Sequence, residues 1–208
     1  MDISVTYERD WGLGWIAAEP AFMQRASHAL AHEGRVWLVD PVDGEGLEDR
    51  LARLGEVRGV LQLLDVTRAT APRWPAATAC RCCRPRSTAF PGPPSRRSPW
   101  WAAGAGARRP SGWPARRALV VAEALGTAPY FPARGREPQH RMHAQRLAPR
   151  ALAGFGPEHL LVGHGPPLHG PDVAERVRRA IARSRREIPR WLAGLPAARR
   201  ARMSAAAG

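Results

Sequence analysis

Imidazole is the scarce chemical resource of this chain. Seven histidines stand among its 208 residues, and five of them fall in the C-terminal half: His140, His143, His159, His164 and His169. A neutral imidazole can ligate a metal, carry a proton near neutral pH or simply close a turn. His164 sits between Gly163 and Gly165, in a turn that runs on through Pro166 and Pro167. Glu123 is the one acid inside the apolar run from Ala118 to Leu125. His140 and His143 lie three apart in an Arg-rich stretch, and His159 and His169 flank the turn; all four are expected at the surface. His164 and Glu123 are the two candidates set within glycine-bound or apolar surroundings. Each also has a plain structural reading, as a turn histidine held by backbone hydrogen bonds and as a polar residue ending a strand. Cys80, Cys82 and Cys83 are an odd number crowded into one short stretch, which suits neither a disulfide framework nor paired C-x-x-C ligands.

The elements that must position these residues are legible in both halves of the chain. Ile3, Val5 and Tyr7 alternate as a strand does. Ala26 to Ala31, then His32-Glu33-Gly34, then Val36 to Asp40 predict a hairpin. Leu47, Leu51 and Leu54 give a short helix one apolar face, and Gly55 is placed to end it. Val57 to Leu64 has the length and apolarity of a buried strand. Order is expected again from Trp113, with Ala118 to Leu125 apolar and His159 to Val162 a short strand. Val173, Val177, Ile181, Ser184, Ile188 and Trp191 recur at helical spacing after Gly170-Pro171-Asp172, while six arginines occupy mainly other faces. Glu175 and Glu187 interrupt that basic face, which favours a solvated surface over a phosphate-binding one.

Two of these stretches resemble the metallo-β-lactamase-fold metallo-hydrolases. Val36-Trp37-Leu38-Val39-Asp40-Pro41, leading through the helix to Val60-Leu61-Gln62-Leu63-Leu64-Asp65, is similar to the family's strand ending in Asp, its following helix and the strand that delivers the first metal motif. Leu119 to Leu125, followed by Leu160-Leu161-Val162-Gly163-His164-Gly165, is similar to the family's Gly-Asp strand end and its Gly-His-Gly turn. The resemblance implies an α/β fold, a four-layer αββα sandwich, and zinc-activated hydroxide attacking an ester, thioester, lactam or phosphodiester of a small-molecule substrate. Carried over residue by residue, His164 matches the last metal-binding His, and Glu123 stands where the bridging Asp would be, with a longer arm that displaces its carboxylate. The main His-x-His-x-Asp-His cluster has no counterpart: Val66, Thr67, Arg68, Ala69 and Thr70 follow Asp65, and the next imidazole is His140. The resemblance therefore implies a degenerate member with zinc not tightly held and hydrolysis impaired or lost. The alternatives are a non-enzymatic domain acting by binding and a basic nucleic-acid-binding protein.

The net charge of +14 bears on that last alternative. All 32 basic residues are Arg, a bias that GC-rich coding produces more readily than selection for a phosphate-binding face. Nine of them, with no acid, lie between Val66 and Gly112, so this block supplies +9 of the +14. It also holds eight Pro, three Trp, all three Cys, and Val66 as its only residue of the Val, Ile, Leu and Met class. Trp100-Trp101 beside Arg96 and Arg97 has the composition to stack on bases but no scaffold to hold it. Specific nucleic-acid binding is not expected. A stretch so composed builds no apolar face, so the fold should be incomplete or disordered between residues 66 and 112. Shifting the reading frame of GC-rich codons by one nucleotide across the block restores acids, a strand-like Phe-Glu-Ala-Val-Pro-Val-Val and an Arg-His-Ala-Arg-Asp directly after Asp65. Two compensating frame changes, one near Asp65/Val66 and one near Gly112/Trp113, are the reading this supports. One domain over 1–196 with a frayed tail at 197–208 is expected, with no membrane span, no signal-like N-terminus and a cytoplasmic location.

Overall fold

The computed structural model describes residues 2–18, 24–61, 63, 111–113, 116–121, 124–128, 150–184 and 186. Among the described residues the elements follow the order β1 (Ile3–Arg9), β2 (Gly12–Ala17), β3 (Ala26–His32), β4 (Arg35–Val39), α1 (Leu47–Leu54), β5 (Glu56–Leu61), β6 (Ser111–Trp113), β7 (Ala118–Val121), β8 (His159–Val162), β9 (Leu168–His169) and α2 (Val173–Arg183). A 3-10 turn at Arg150–Gly154 precedes β8. The first sheet runs β1-β2-β3-β4-β5 and the second β6-β7-β8-β9. In each sheet one pair is parallel, β4 with β5 and β7 with β8, and the other pairs are antiparallel.

Side-chain alternation along the strands builds four layers. Leu13, Trp15, Ala29, Ala31, Val36 and Leu38 turn one face of the first sheet onto Leu47 and Leu51 of α1. The intervening residues Leu30 and Val39 turn inward, with Tyr7, Trp11 and Leu61, to meet Ala118, Val120 and Leu161 of the second sheet. Leu119, Val121, Leu160 and Val162 face the other way, onto Val173, Val177, Ala180 and Ile181 of α2. Because both faces of each sheet are covered, the central strands are apolar nearly throughout rather than alternating with polar residues. The result is the α/β, αββα sandwich of the metallo-β-lactamase-like kind that the resemblance implies, here seen directly in the order helix, sheet, sheet, helix.

Most elements lie where the sequence places them, and the departures have physical reasons. The register shifts between Val5 and Tyr7, so the alternation resets: Tyr7 is buried while Val5 is the exposed large hydrophobe of the first strand. Strand β2 carries no local strand signal, since Gly12-Leu13-Gly14-Trp15 is glycine-rich. The glycines are required there, because a Cβ on Gly14 would lie 2.1 Å from Tyr7 Cε1, in the space the tyrosine ring fills. The helix predicted at Leu47 ends at Gly55, which adopts φ +139° and packs against Gly34. Ser111 and Gly112, ahead of the expected boundary at Trp113, already pair with Val120 and Leu119. Strand β5 ends at Leu61, short of the predicted Leu64. The two-residue β9 carries too little pattern to be read from sequence. Helix α2 buries Val173, Val177 and Ile181, as its spacing predicts, and Ala180 beside them; Ile188 and Trp191 lie outside the described residues.

Candidate functional site

The Arg25–His164 bridge brings the start of β3, beside the C-terminal end of β4, to the turn that follows β8, at one rim of the sandwich. The Gly163-His164-Gly165 turn is stitched there to the start of β3: Ala26 N–H donates to the Gly163 carbonyl (2.9 Å), Gly165 N–H donates to the Gln24 carbonyl (2.8 Å), and Arg25 bridges to His164. On its other side the His164 carbonyl accepts the Thr127 and Ala128 N–H groups, and Gly163 N–H donates to Val121. Gly165 has φ +92°, and a Cβ on it would lie 2.3 Å from Ala128 N, so only glycine fits. His164 is thus buried, as a turn histidine whose backbone ties β3, β7 and β8 together.

Asp40 stands at the neighbouring strand end with the same kind of employment. Its N–H donates to Leu61, its carbonyl accepts the Ser27 hydroxyl (2.8 Å), and its Oδ1 accepts Leu63 N–H (2.8 Å). The carboxylate therefore holds the chain leaving β5, and the strained φ of +44° is retained by these three bonds.

Arg25 was not singled out in the sequence, where nothing in Gln24-Arg25-Ala26 marks it. It is only 3% exposed, and its Nε has no hydrogen-bond partner among the described residues. Burial pushes the guanidinium's pKa down, and the Asp40 carboxylate opposes that shift. Arg25 is the backbone bridge partner of His164 and its guanidinium lies within electrostatic reach of Asp40, so a cationic side chain already at this rim raises the cost of placing a dication there. Zinc, which the resemblance implies, does not fit the described donors: one imidazole, one carboxylate oxygen already accepting an N–H, and a cation beside them. Among the described residues no group of three His, Cys, Asp or Glu side chains is placed to hold a metal ion. Glu123, the second sequence candidate, lies outside the described residues, as do Asp65, His140, His143 and the three cysteines.

A second cluster sits at the opposite end of β8. His159 and His169 are direct cross-strand partners, with Nδ1 atoms 3.1 Å apart and ring centroids 5.0 Å apart. Trp11 stacks on His159 at 5.0 Å, and Tyr7 meets His169 edge-to-face at 5.1 Å. His28 lies deeper, between the sheets. Its Nε2–H donates to the Val162 carbonyl (2.9 Å), which leaves Nδ1 to accept the Tyr7 hydroxyl (3.4 Å). Burial holds the His28 pKa down at about 4, against the opposing bond to Val162. His169 is also held at about 4, by burial first and then by the charges of His159, Arg9 and His28. His159 is shifted the same way by burial and Arg9, with Glu158 opposing. Burial pushes the Tyr7 phenol far above its usual range. The sequence placed His159 and His169 separately at the surface; they are half-buried and face each other, because the turn between them is a hairpin.

No family model and no curated protein sequence matches the chain. Solved structures do. They are metallo-β-lactamases. DIM-1 aligns over 88% of this chain and 98% of its own, with a TM-score of 0.48 and 9% identity. TMB-1 gives the same coverages and TM-score at 10% identity. An enzyme from Erythrobacter litoralis aligns over 87% of this chain and 96% of its own, with a TM-score of 0.47 and 12% identity. At such values the likeness is one of overall form, and no residue role passes along it.

Proposed function

We propose that this chain is a hydrolase-like αββα domain that has lost zinc-dependent hydrolysis and acts by binding. The observation supporting this reading is Arg25, buried at the His164 rim, where a hydrolytic centre would need cationic charge to be welcome rather than already present. Asp40 and the His164 turn hold strand ends together there, a structural employment that survives loss of catalysis. Elemental analysis of the purified chain after dialysis should find well under one zinc per molecule. Assays with ester, thioester, lactam and phosphodiester substrates should show no turnover restored by added zinc. A stoichiometric zinc lost on His164→Ala, or zinc-dependent turnover sensitive to Glu123→Gln, would overturn the reading and restore both as metal ligands.

The charge of +14 keeps nucleic acid in view as a second partner class. The described basic residues are largely engaged with acids: Arg50 and Arg53 with Glu8, Arg117 with Glu158, Arg178 and Arg179 with Glu175. Binding to oligonucleotides should accordingly be weak, sequence-independent and lost as salt rises. Tight, selective anisotropy changes at physiological salt would contradict this. No helix among the described residues is long and apolar enough to cross a membrane; a cytoplasmic location remains part of the proposal.

A further inference from the structure

We propose that His159 and His169 form a two-imidazole chelate for a divalent transition-metal ion, at the end of β8 away from His164. The geometry carries it. The two side chains are cross-strand partners on β8 and β9, so the backbone ladder fixes their separation without help from either side chain. Their Nδ1 atoms are 3.1 Å apart, and the ring centroids, at 5.0 Å, place those nitrogens on the facing edges. With metal–nitrogen bonds of about 2.0–2.1 Å, such a pair subtends roughly 100° at the metal, between the angles of square and tetrahedral coordination. Imidazole pairs of this kind suit copper, nickel and zinc, with copper(II) bound most strongly in the usual divalent order.

The surroundings keep the ligands ready. Burial and neighbouring charge disfavour the imidazolium form of both rings, so both are neutral at pH 7 and no proton must be driven off before ligation. Two neutral rings whose Nδ1 atoms face each other can place one proton between them. Ligation moves that proton to Nε2 of the same ring, with no net release. Trp11 on His159 and Tyr7 on His169 fix the ring planes. Arg9 works against a bound cation as it works against a proton, and this supplies a test that a purely structural histidine pair would not pass.

Copper(II) titrated into the intact chain should bind one ion, with an electron paramagnetic resonance signature of two-nitrogen ligation. His159→Gln and His169→Gln should each weaken binding about tenfold or more, since even outer-shell losses cost that much. His164→Ala and the paired His140→Ala/His143→Ala variant should leave the site unchanged. Arg9→Gln should tighten it several-fold. Trp11→Phe should retain the ion and abolish the largest share of copper quenching of tryptophan fluorescence, a readout that keeps both histidines and so survives any failure of the His variants to fold. The proposal is overturned if no ion binds, if binding is lost only with His140 and His143, or if neither Arg9→Gln nor Trp11→Phe alters the copper response.

Discussion

The two ends of strand β8 carry histidines in opposite circumstances. At one end His164 lies inside a tripeptide that names itself in the sequence, and its turn is tied by backbone hydrogen bonds to the start of β3 and to Thr127 and Ala128, with the buried Arg25 as its bridge partner. At the other, His159 and His169 lie ten residues apart with no motif around them, and a hairpin brings their ring nitrogens to 3.1 Å. Whether a histidine does chemistry depends on neighbours drawn from distant parts of the chain, and these support a structural reading at one end and the proposed ligation at the other.

The largest expected change comes from re-expressing the chain with residues 66–112 in the shifted frame. We propose that two compensating frame changes bound this block, and restoring it would return an imidazole shortly after Asp65 and aliphatic surface worth about 25 cal/mol per Å² on burial. The restored chain should melt more sharply and at higher temperature than the chain as written. An uninterrupted frame on resequencing, with a sharp melt for the present chain, would remove this contrast.

Next in size is Gly165→Ala, which places a Cβ 2.3 Å from Ala128 N at φ +92° and should cost about 4 kcal/mol in urea melts. Gly170→Ala, near the other end, also has positive φ, but meets only the movable Asp172 carboxylate at 2.9 Å, so it should cost clearly less. Equal costs would mean that the rim is not the more rigid of the two.

The third test is pH. His28 titrates near 4 when folded and near 6.5 when unfolded, so between these values the unfolded chain takes up a proton that the folded chain refuses. Its contribution is complete above pH 6.5 and disappears as pH falls toward 4, a loss on the order of 3 kcal/mol. His169 acts in the same direction. His28→Gln should flatten the slope of stability against pH over that window; an unchanged slope would assign the acid sensitivity elsewhere. The smallest effect is expected for Glu8→Gln, which removes exposed pairs with Arg50 and Arg53 and should leave the melting midpoint unchanged within error.

The layers of this fold were legible because apolar periodicity is a local signal. Leu47 and Leu51 declare a helical face, and Val36 to Val39 with Gly34 before them declare a hairpin arm, whatever lies elsewhere. The candidate site was legible only as a list of types. Nothing local distinguishes Arg25 as the buried cation beside His164, because burial is conferred by β8 across more than a hundred residues of sequence. Likewise the pairing of His159 with His169 depends on a two-residue strand too short to announce itself, and the seat of Tyr7 depends on a register shift that no composition predicts.

That seat has a dynamic consequence. The Tyr7 ring lies with one edge against Gly14, where even a methyl carbon would stand 2.1 Å from Cε1, and the other toward Gly12, while Trp11, His28 and His169 surround it. Rotation of the phenol about its own axis must sweep through the width that the glycines leave only for the ring in plane. The two halves of the ring should therefore exchange slowly, and give separate ortho and meta proton resonances where a freely flipping tyrosine gives one averaged pair.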